Sequence, residues 1–148
     1  MRIYLDACCL NRPFDDQTQD RVRLESEAIR AILSAVEQGV HQWVSSAVLE
    51  DELLRNPDTE RRAVVLGWLR WADERATIGP AAGVLARNWT AVGLGAIDAL
   101  HVAVAEAAGC DILLTTDDAM IRRGARLDPP PRVRILNPLQ WLLETGTS

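Results

Sequence analysis

Residues 96–118 read AIDALHVAVAEAAGCDILLTTDD and combine three structural signals in one stretch. Residues 97–108 are mostly apolar and predict a helix, which Gly109 would end. The short apolar run at residues 112–116 is typical of a buried strand, and it leads directly into Asp117. A helix followed by a buried strand that ends in an acid predicts an α/β protein, because ligands of parallel sheets bind at the carboxyl ends of the strands.

The same alternation of strands and helices continues on both sides of this stretch. The predicted strands are residues 3–5, 42–45, 76–78, 112–116 and 133–136. The predicted helices are residues 18–38, 46–54, 58–73, 81–88, 97–108 and 138–144. We therefore expect a three-layer α/β/α sandwich with a mainly parallel central sheet of Rossmann-like type, formed by a single domain over residues 1–148.

The chain has no lysine, since all sixteen of its basic residues are arginine. Catalysis through a Schiff base, a lysine general base or the lysine of a phosphate-binding P-loop is therefore excluded. The net charge of −5 disfavours broad attraction to nucleic acid but leaves room for local basic patches. No stretch is long and apolar enough to span a membrane, and the first apolar run is too short for a secretion signal, so we expect a cytoplasmic protein.

The cysteines and histidines do not have the spacing of a zinc site. Cys8 and Cys9 are adjacent, Cys110 is remote, and none of them belongs to a C-x-x-C pair. We expect all three to be reduced and mostly buried, with Cys8 and Cys9 on opposite faces as neighbouring strand residues would be. His41 and His101 lack the HExxH spacing. Carboxylates must therefore carry any chemistry.

Four acids stand where a parallel sheet would bring them together. Asp6 follows the first predicted strand and Asp117 the fourth, whereas Glu52 and Asp98 lie on predicted helices. The carboxyl ends of strands and the amino ends of the following helices share one edge of such a sheet. Carboxylates held this close repel one another unless a cation lies among them. Mg²⁺ or Mn²⁺ accepts oxygen ligands and activates water, so the cluster predicts metal-assisted hydrolysis of a phosphodiester.

Each of these acids also has an ordinary structural interpretation. Asp6 could be a polar strand end that faces water, and Asp98 could complement a helix dipole. Glu52 lies in an acidic run that could be a solvated face, and Asp117 could cap the next helix. We expect His101, one turn after Asp98, to be a packed or hydrogen-bonded residue rather than a base.

The order of four motifs resembles that of the PIN-domain ribonucleases, which include the VapC-like toxins of bacterial toxin–antitoxin pairs. The motifs are the strand ending in Asp6, SSAVLEDEL at residues 45–53, IDALH at residues 97–101 and LLTTD at residues 113–117. The resemblance extends over essentially the whole chain. It implies a PIN-like fold and Mg²⁺- or Mn²⁺-dependent endonuclease activity on RNA. The catalytic and metal-binding residues that it implies are Asp6, Glu52, Asp98 and Asp117.

The resemblance also implies supporting residues, and it includes one departure from the family pattern. Thr116 and Ser46 would be polar neighbours that steady ligands or water. The usual Asp-Thr-Asn beginning is Asp6-Ala7-Cys8 in this chain. A hydroxyl and an amide are therefore missing near the first metal ligand.

Asn11 and Arg12 could replace these missing groups. An arginine close to the carboxylates could hold a phosphate or neutralise the empty site. Alternatively, Arg12 forms a salt bridge with Asp15 or Asp16 in a loop. The sequence leaves both interpretations open.

Arginines close in sequence to the acids predict contacts with RNA. Arg55 follows the helix of Glu52, and Arg122 and Arg123 follow Asp117. An arginine rim around an acidic floor would hold the phosphate backbone. Surface arginines that only balance the 21 acids are the alternative.

The resemblance implies an antitoxin partner with a segment that occupies the cleft, and the amphipathic helices and tryptophans predict a homodimer. A catalytically inactive PIN-like domain that binds other proteins is the alternative to a nuclease. The altered residues 6–8 and the negative net charge favour this alternative. The four intact acids favour the nuclease, because a scaffold has little use for a repulsive cluster.

Overall fold

The computed structural model describes residues 1–145, in which five strands form one sheet. The strands are β1 (Arg2–Leu5), β2 (Gln42–Ser46), β3 (Glu74–Ala76), β4 (Ile112–Leu114) and β5 (Arg134–Leu136). Their order across the sheet is β3-β2-β1-β4-β5, and every neighbouring pair is parallel. The parallel α/β fold that the sequence predicted is confirmed.

Helices connect the strands and follow the last one. In the described part of the chain they are α1 (Ala7–Asn11), α2 (Asp20–Glu37), α3 (Ala47–Leu54), α4 (Thr59–Trp68), α5 (Pro80–Ala91), α6 (Ala96–Ala107), α7 (Asp118–Gly124) and α8 (Pro138–Thr145), with 3₁₀ turns at Arg12–Phe14 and Leu69–Trp71. Crossover connections run to either side of β1, so helices cover both faces of the sheet. On these faces α2 packs against α8, and α5 packs against α6. None of these helices is long and apolar enough to cross a membrane.

The core lies around the two central strands, β1 and β4. Their residues from Ile3 to Leu5 and from Ile112 to Leu114 are buried, as expected for strands covered on both faces. Trp43, Trp89 and Trp141 are also fully buried against this core. The carboxyl ends of β1 and β4 are thus held in a fixed position relative to each other.

The short helix α1 follows β1 directly, where no helix was predicted. The side chain of Asp6 caps it by accepting a hydrogen bond from the backbone N–H of Ala7 at 2.8 Å. Cys8 and Cys9 therefore lie on a helix, and the expectation that they occupy opposite faces of a strand was wrong. Both thiols are free, with Cys9 buried and Cys8 half-buried.

Several element boundaries also differ from the sequence prediction, including those of β3 and α4. Strand β3 ends at Ala76, where we predicted it to begin, because Asp73 fixes its start against β2. The carboxylate of Asp73 accepts from the N–H of Trp43, and its own N–H donates to the carbonyl of Trp43. The predicted helix over residues 58–73 is α4 with the 3₁₀ turn after it, and Trp71 is 42% exposed.

Candidate active site

Asp6 lies at the carboxyl end of β1, and its side chain is almost completely buried. Leu5 pairs with Leu114, so the next residues, Asp6 and Thr115, lie side by side. As a result, Oδ2 of Asp6 accepts a hydrogen bond from Oγ1 of Thr115 at 2.9 Å and one from Sγ of Cys8 at 3.4 Å. Oδ1 accepts the cap hydrogen bond from Ala7. The Asp6 carboxylate is therefore held in one orientation by donors on two elements.

Thr115 also connects Asp6 with Asp117. Its Oγ1 atom accepts a hydrogen bond from the backbone N–H of Asp117 at 3.1 Å while it donates to Asp6. Asp117 caps α7 by accepting from the N–H groups of Ala119 and Met120. The capping interpretation of Asp117 is thus correct, and it does not remove this acid from the neighbourhood of Asp6.

Glu52 reaches the same region from α3. Both of its carboxylate oxygens lie 3.4 Å from Nε2 of His101, and Oδ1 of Asp6 lies 3.7 Å from the same nitrogen. One potential ligand atom from each of Asp6, Glu52 and His101 falls within 4.8 Å of the other two. This spacing is compatible with ligands that share a metal ion.

Asp98 completes the group from the first turn of α6. Burial and then the negative charges of Asp6 and Asp117 raise the pKa of Asp98 to about 6, with a smaller contribution from Glu52. The structure therefore places Asp6 and Glu52 within ligand distance of each other, and it places Asp98 where the charges of Asp6, Asp117 and Glu52 act on it.

His101 is fully buried beneath the acids. Its Nδ1 atom lies 2.6 Å from Oη of Tyr4, and this Oη atom lies 2.7 Å from Oγ of Ser46. Burial alone would lower the pKa of His101, but the hydrogen bond to Glu52 and the charges of Asp6, Glu52 and Asp98 outweigh it and raise the pKa. Burial raises the pKa of Tyr4, so its phenol keeps its proton.

Ser46 and Thr116, the predicted polar neighbours, contact the cluster indirectly. Oγ of Ser46 caps α3 by accepting from the N–H of Leu49 at 3.0 Å, and it reaches the acids through Tyr4 and His101. Thr116 donates its backbone N–H to Sγ of Cys8 at 3.4 Å. The hydroxyl that touches Asp6 belongs to Thr115, which the sequence interpretation did not single out.

Asn11 and Arg12 bind elsewhere. Asn11, the last residue of α1, donates to the carbonyl of Ala7 and accepts from Nδ2 of Asn56. Arg12 forms salt bridges with the buried Glu25 at 2.6 Å and with Asp15 at 3.4 Å. The loop salt bridge to Asp15 was one of the two interpretations of Arg12, and the structure adds Glu25 as the closer partner.

A cleft of about 480 Å³ opens beside Glu52 and Asp98. Most of its other lining residues are apolar, and they come from α3, α6 and the segment after β3: Ala47, Val48, Ile78, Ile97 and Leu100. Arg55 lies at the same cleft and forms a salt bridge with Asp51 at 2.7 Å. Arg122 and Arg123 are exposed in the last turn of α7, the helix that Asp117 caps. Glu52 and Asp98 are thus open to a molecule bound in this cleft.

The donor set fits a hard divalent cation. Asp6, Glu52, Asp98 and Asp117 offer carboxylate oxygens, which are the ligands that Mg²⁺ and Mn²⁺ prefer. Burial first, and then the negative charges of Asp6 and Asp117, raise the pKa of Asp98, and a cation would offset these charges. A zinc site of thiolates is not formed, because Cys9 and Cys110 are buried elsewhere and their pKa values are raised by burial.

The chain resembles one protein family and several solved structures. The family model described as the PIN domain matches residues 3–126. A crystal structure of VapBC2 from Rickettsia felis, bound to a DNA fragment from their promoter, superimposes with a TM-score of 0.59 at 12% sequence identity. The superposition covers 93% of this chain and 98% of the other, and at this identity it concerns the fold alone. No curated protein sequence matched the chain.

Proposed function

The chain belongs to the PIN domain family, and from this premise we propose that it is a metal-dependent endoribonuclease that hydrolyses phosphodiester bonds of RNA. The proposed catalytic and metal-binding residues are Asp6, Glu52, Asp98 and Asp117. The observation that carries the proposal is the placement of these carboxylates at one edge of the sheet, where ligand atoms of Asp6 and Glu52 lie within 4.8 Å of each other and the charges of Asp6 and Asp117 act on the half-buried Asp98. An inactive interaction module would not need such a cluster, because the repulsion only costs stability.

The chain's own residues would divide the work at this site. Mg²⁺ or Mn²⁺, when bound, lowers the pKa of a bound water and neutralises charge on the phosphate oxygens. Asp6 is fixed by Ala7, Thr115 and Cys8, so it would be the most rigid ligand. Glu52 and Asp98 border the open cleft, so they would lie closest to the substrate.

We further propose that the RNA backbone follows the arginines beside the acids. Arg55 lines the cleft, and its salt bridge to Asp51 is exposed and therefore weak enough to exchange for a phosphate. Arg122 and Arg123 lie at the far end of α7 and would extend the positive rim. The apolar lining beside Glu52 gives a nucleotide base a surface to pack on.

The biological role that we propose is that of a toxin in a toxin–antitoxin pair. Two findings support it: the PIN domain match and the shared fold with a VapBC2 structure. On this proposal the chain acts in the cytoplasm as one domain over residues 1–148, binds an antitoxin across the acidic cleft and forms a homodimer.

Cleavage of mixed structured and single-stranded RNAs tests the nuclease proposal. The wild-type protein is expected to cut with Mn²⁺ or Mg²⁺ and not with chelator, and Asp98→Asn is expected to abolish cutting. Asp20→Asn is the matched control, because Asp20 is an exposed acid in the first turn of α2. If neither metal supports cutting and neither shifts the melting temperature, the interaction module becomes the better description.

A further inference from the structure

Three polar side chains lie fully buried in a row beneath Glu52. Tyr4, Ser46 and His101 each have 0% of their surface exposed, and they come from β1, the end of β2 and α6. Buried polar groups are stable when every donor meets an acceptor. The directions of the hydrogen bonds along this row can therefore be worked out from its two ends.

At one end, Ser46 is fixed as an acceptor by the helix that it caps. Its Oγ atom accepts the N–H of Leu49, so its own proton is free to point towards Oη of Tyr4, 2.7 Å away. The phenol of Tyr4 can then donate its proton to Nδ1 of His101 at 2.6 Å. In this arrangement Nδ1 is an acceptor, and the imidazole proton is on Nε2.

At the other end, the carboxylates require the same proton position. Ionised Glu52 and Asp6 accept hydrogen bonds only, and Nε2 of His101 lies 3.4 Å from both oxygens of Glu52 and 3.7 Å from Asp6. A proton on Nε2 points towards the carboxylates of Glu52 and Asp6, whereas an unprotonated Nε2 would place its lone pair against these two negative charges. If the ring is doubly protonated, Nδ1 donates to Tyr4, the Tyr4 hydroxyl turns to Ser46, and Nε2 still carries its proton.

We propose that Tyr4 and Ser46 fix His101 with its proton on Nε2, so that His101 orients Glu52 towards Asp6 as a hydrogen-bond donor and is not itself a metal ligand. The inference rests on the proposed function, because the orientation of Glu52 matters only if a cation binds the acids. The spacing of Asp6, Glu52 and His101 alone would allow His101 to be either a metal ligand or a hydrogen-bond donor to Glu52. His101 is thus a positioning residue, and oxygen ligands alone complete the site.

Two substitutions of His101 separate its two contacts. His101→Gln places an amide N–H near the position of Nε2 and keeps a donor for Glu52, whereas His101→Asn reaches only the position of Nδ1 and keeps the contact to Tyr4. Because outer partners of metal ligands typically contribute about 10- to 100-fold in affinity, we expect His101→Asn to weaken Mn²⁺ binding by about tenfold or more. The Gln variant should stay within about threefold of the wild type, since it retains the donor.

Isothermal titration with Mn²⁺ and thermal unfolding are measured on the same samples. A purely structural role for His101 would lower the melting temperature of both variants and leave their metal affinities equal. A ligand role would weaken binding in both variants to a similar degree, because neither retains the imidazole. Either result overturns the inference.

Nitrogen NMR of the histidine side chains gives a direct readout that does not depend on activity. With and without Mg²⁺, the signals of His101 should show the proton on Nε2. A proton on Nδ1 alone in either state contradicts the inference. If the wild type binds no divalent metal, the proposed function fails, and the NMR result still decides the hydrogen-bond directions. If the wild type binds metal and cuts RNA but the Asn and Gln variants have equal Mn²⁺ affinities, only the inference fails.

Discussion

Oγ1 of Thr115 lies 2.9 Å from Oδ2 of Asp6, across the neighbouring strands β1 and β4. The same oxygen accepts the backbone N–H of Asp117, so one hydroxyl holds two of the four acids. The register of the two strands creates this contact, since Leu5 pairs with Leu114. The uncharged side chain of Thr115 thereby links the carboxylate of Asp6 to the backbone of Asp117.

Thr115→Val should damage the acidic cluster more than its small change in volume suggests. The substitution removes a buried hydrogen bond to Asp6, and the loss of one partner of a buried group typically costs about 1 to 3 kcal/mol. It also leaves the half-buried N–H of Asp117 without its acceptor. We expect a lower melting temperature and an Mn²⁺ affinity reduced by about tenfold.

Thr116→Val is the matched control, since this neighbouring threonine is also buried and bonds to Cys8 through its backbone. Urea unfolding and calorimetric titration with Mn²⁺ measure both quantities. Equal metal affinities for the two variants would contradict the role assigned to Thr115.

Asp98 should make the metal-free protein less stable as the pH rises. Its pKa is about 6 in the folded protein against an ordinary value of 3.8, so the folded state binds this proton more tightly than the unfolded state. The destabilisation therefore develops between about pH 4 and pH 6 and stays constant above that range. For a half-buried group partly screened by solvent, it amounts to about 1 to 2 kcal/mol.

Asp98→Asn removes this ionisation and is expected to stabilise the metal-free protein by that amount at pH 8 but by much less at pH 4.5. Urea unfolding in chelator at both pH values measures the difference. Asp20→Asn, measured in parallel, controls for the loss of an acid from a first helical turn. An equal effect of Asp98→Asn at both pH values would show that the pKa of Asp98 is not raised in the folded protein.

Local patterns were sufficient to predict the fold and the neighbourhood of the acids. The buried run that begins at Ile112 and the strand before Asp6 are recognisable because central parallel strands are apolar on both faces. Parallel sheets bring strand ends and helix starts to one edge, so Asp6, Asp98 and Asp117 follow from the order of elements alone.

Contacts between residues that are distant in sequence determine the features that local patterns could not predict. Two adjacent threonines look alike in the sequence, and only the register of β1 against β4 selects Thr115 over Thr116. The start of β3 depends on a pair of hydrogen bonds between Asp73 and Trp43. Nothing in the local spacing of Tyr4 shows that it meets His101.

Arg122 and Arg123 should contribute to RNA binding through phosphate contacts. Replacing both with glutamine is expected to weaken binding and to reduce the slope of log affinity against log salt by about 0.7 for each lost contact to a single strand. Fluorescence anisotropy of a labelled RNA in chelator measures binding without cleavage. Arg30→Gln, at an exposed arginine of α2, is the control, and an unchanged slope in the double variant would exclude these residues from the RNA surface.

Cys8 should be the thiol through which alkylation inactivates the protein. It is half-buried, whereas Cys9 and Cys110 are buried and burial raises the pKa of both, to about 11 for Cys110. Sγ of Cys8 lies 3.4 Å from Oδ2 of Asp6, so an added acetamide group would push against the first proposed ligand.

We expect iodoacetamide to modify Cys8 first, as identified by mass spectrometry of the digested protein, and Mn²⁺ affinity to fall in parallel with modification. Cys8→Ser keeps a donor of similar size and should retain metal binding while becoming resistant to the reagent. If the serine variant loses Mn²⁺ affinity at the same rate as the wild type, the effect of the reagent arises at another residue. If the wild type is modified at Cys8 without losing affinity, the thiol lies too far from the bound cation to affect it, and the orientation of Asp6 depends on Thr115 and Ala7 alone.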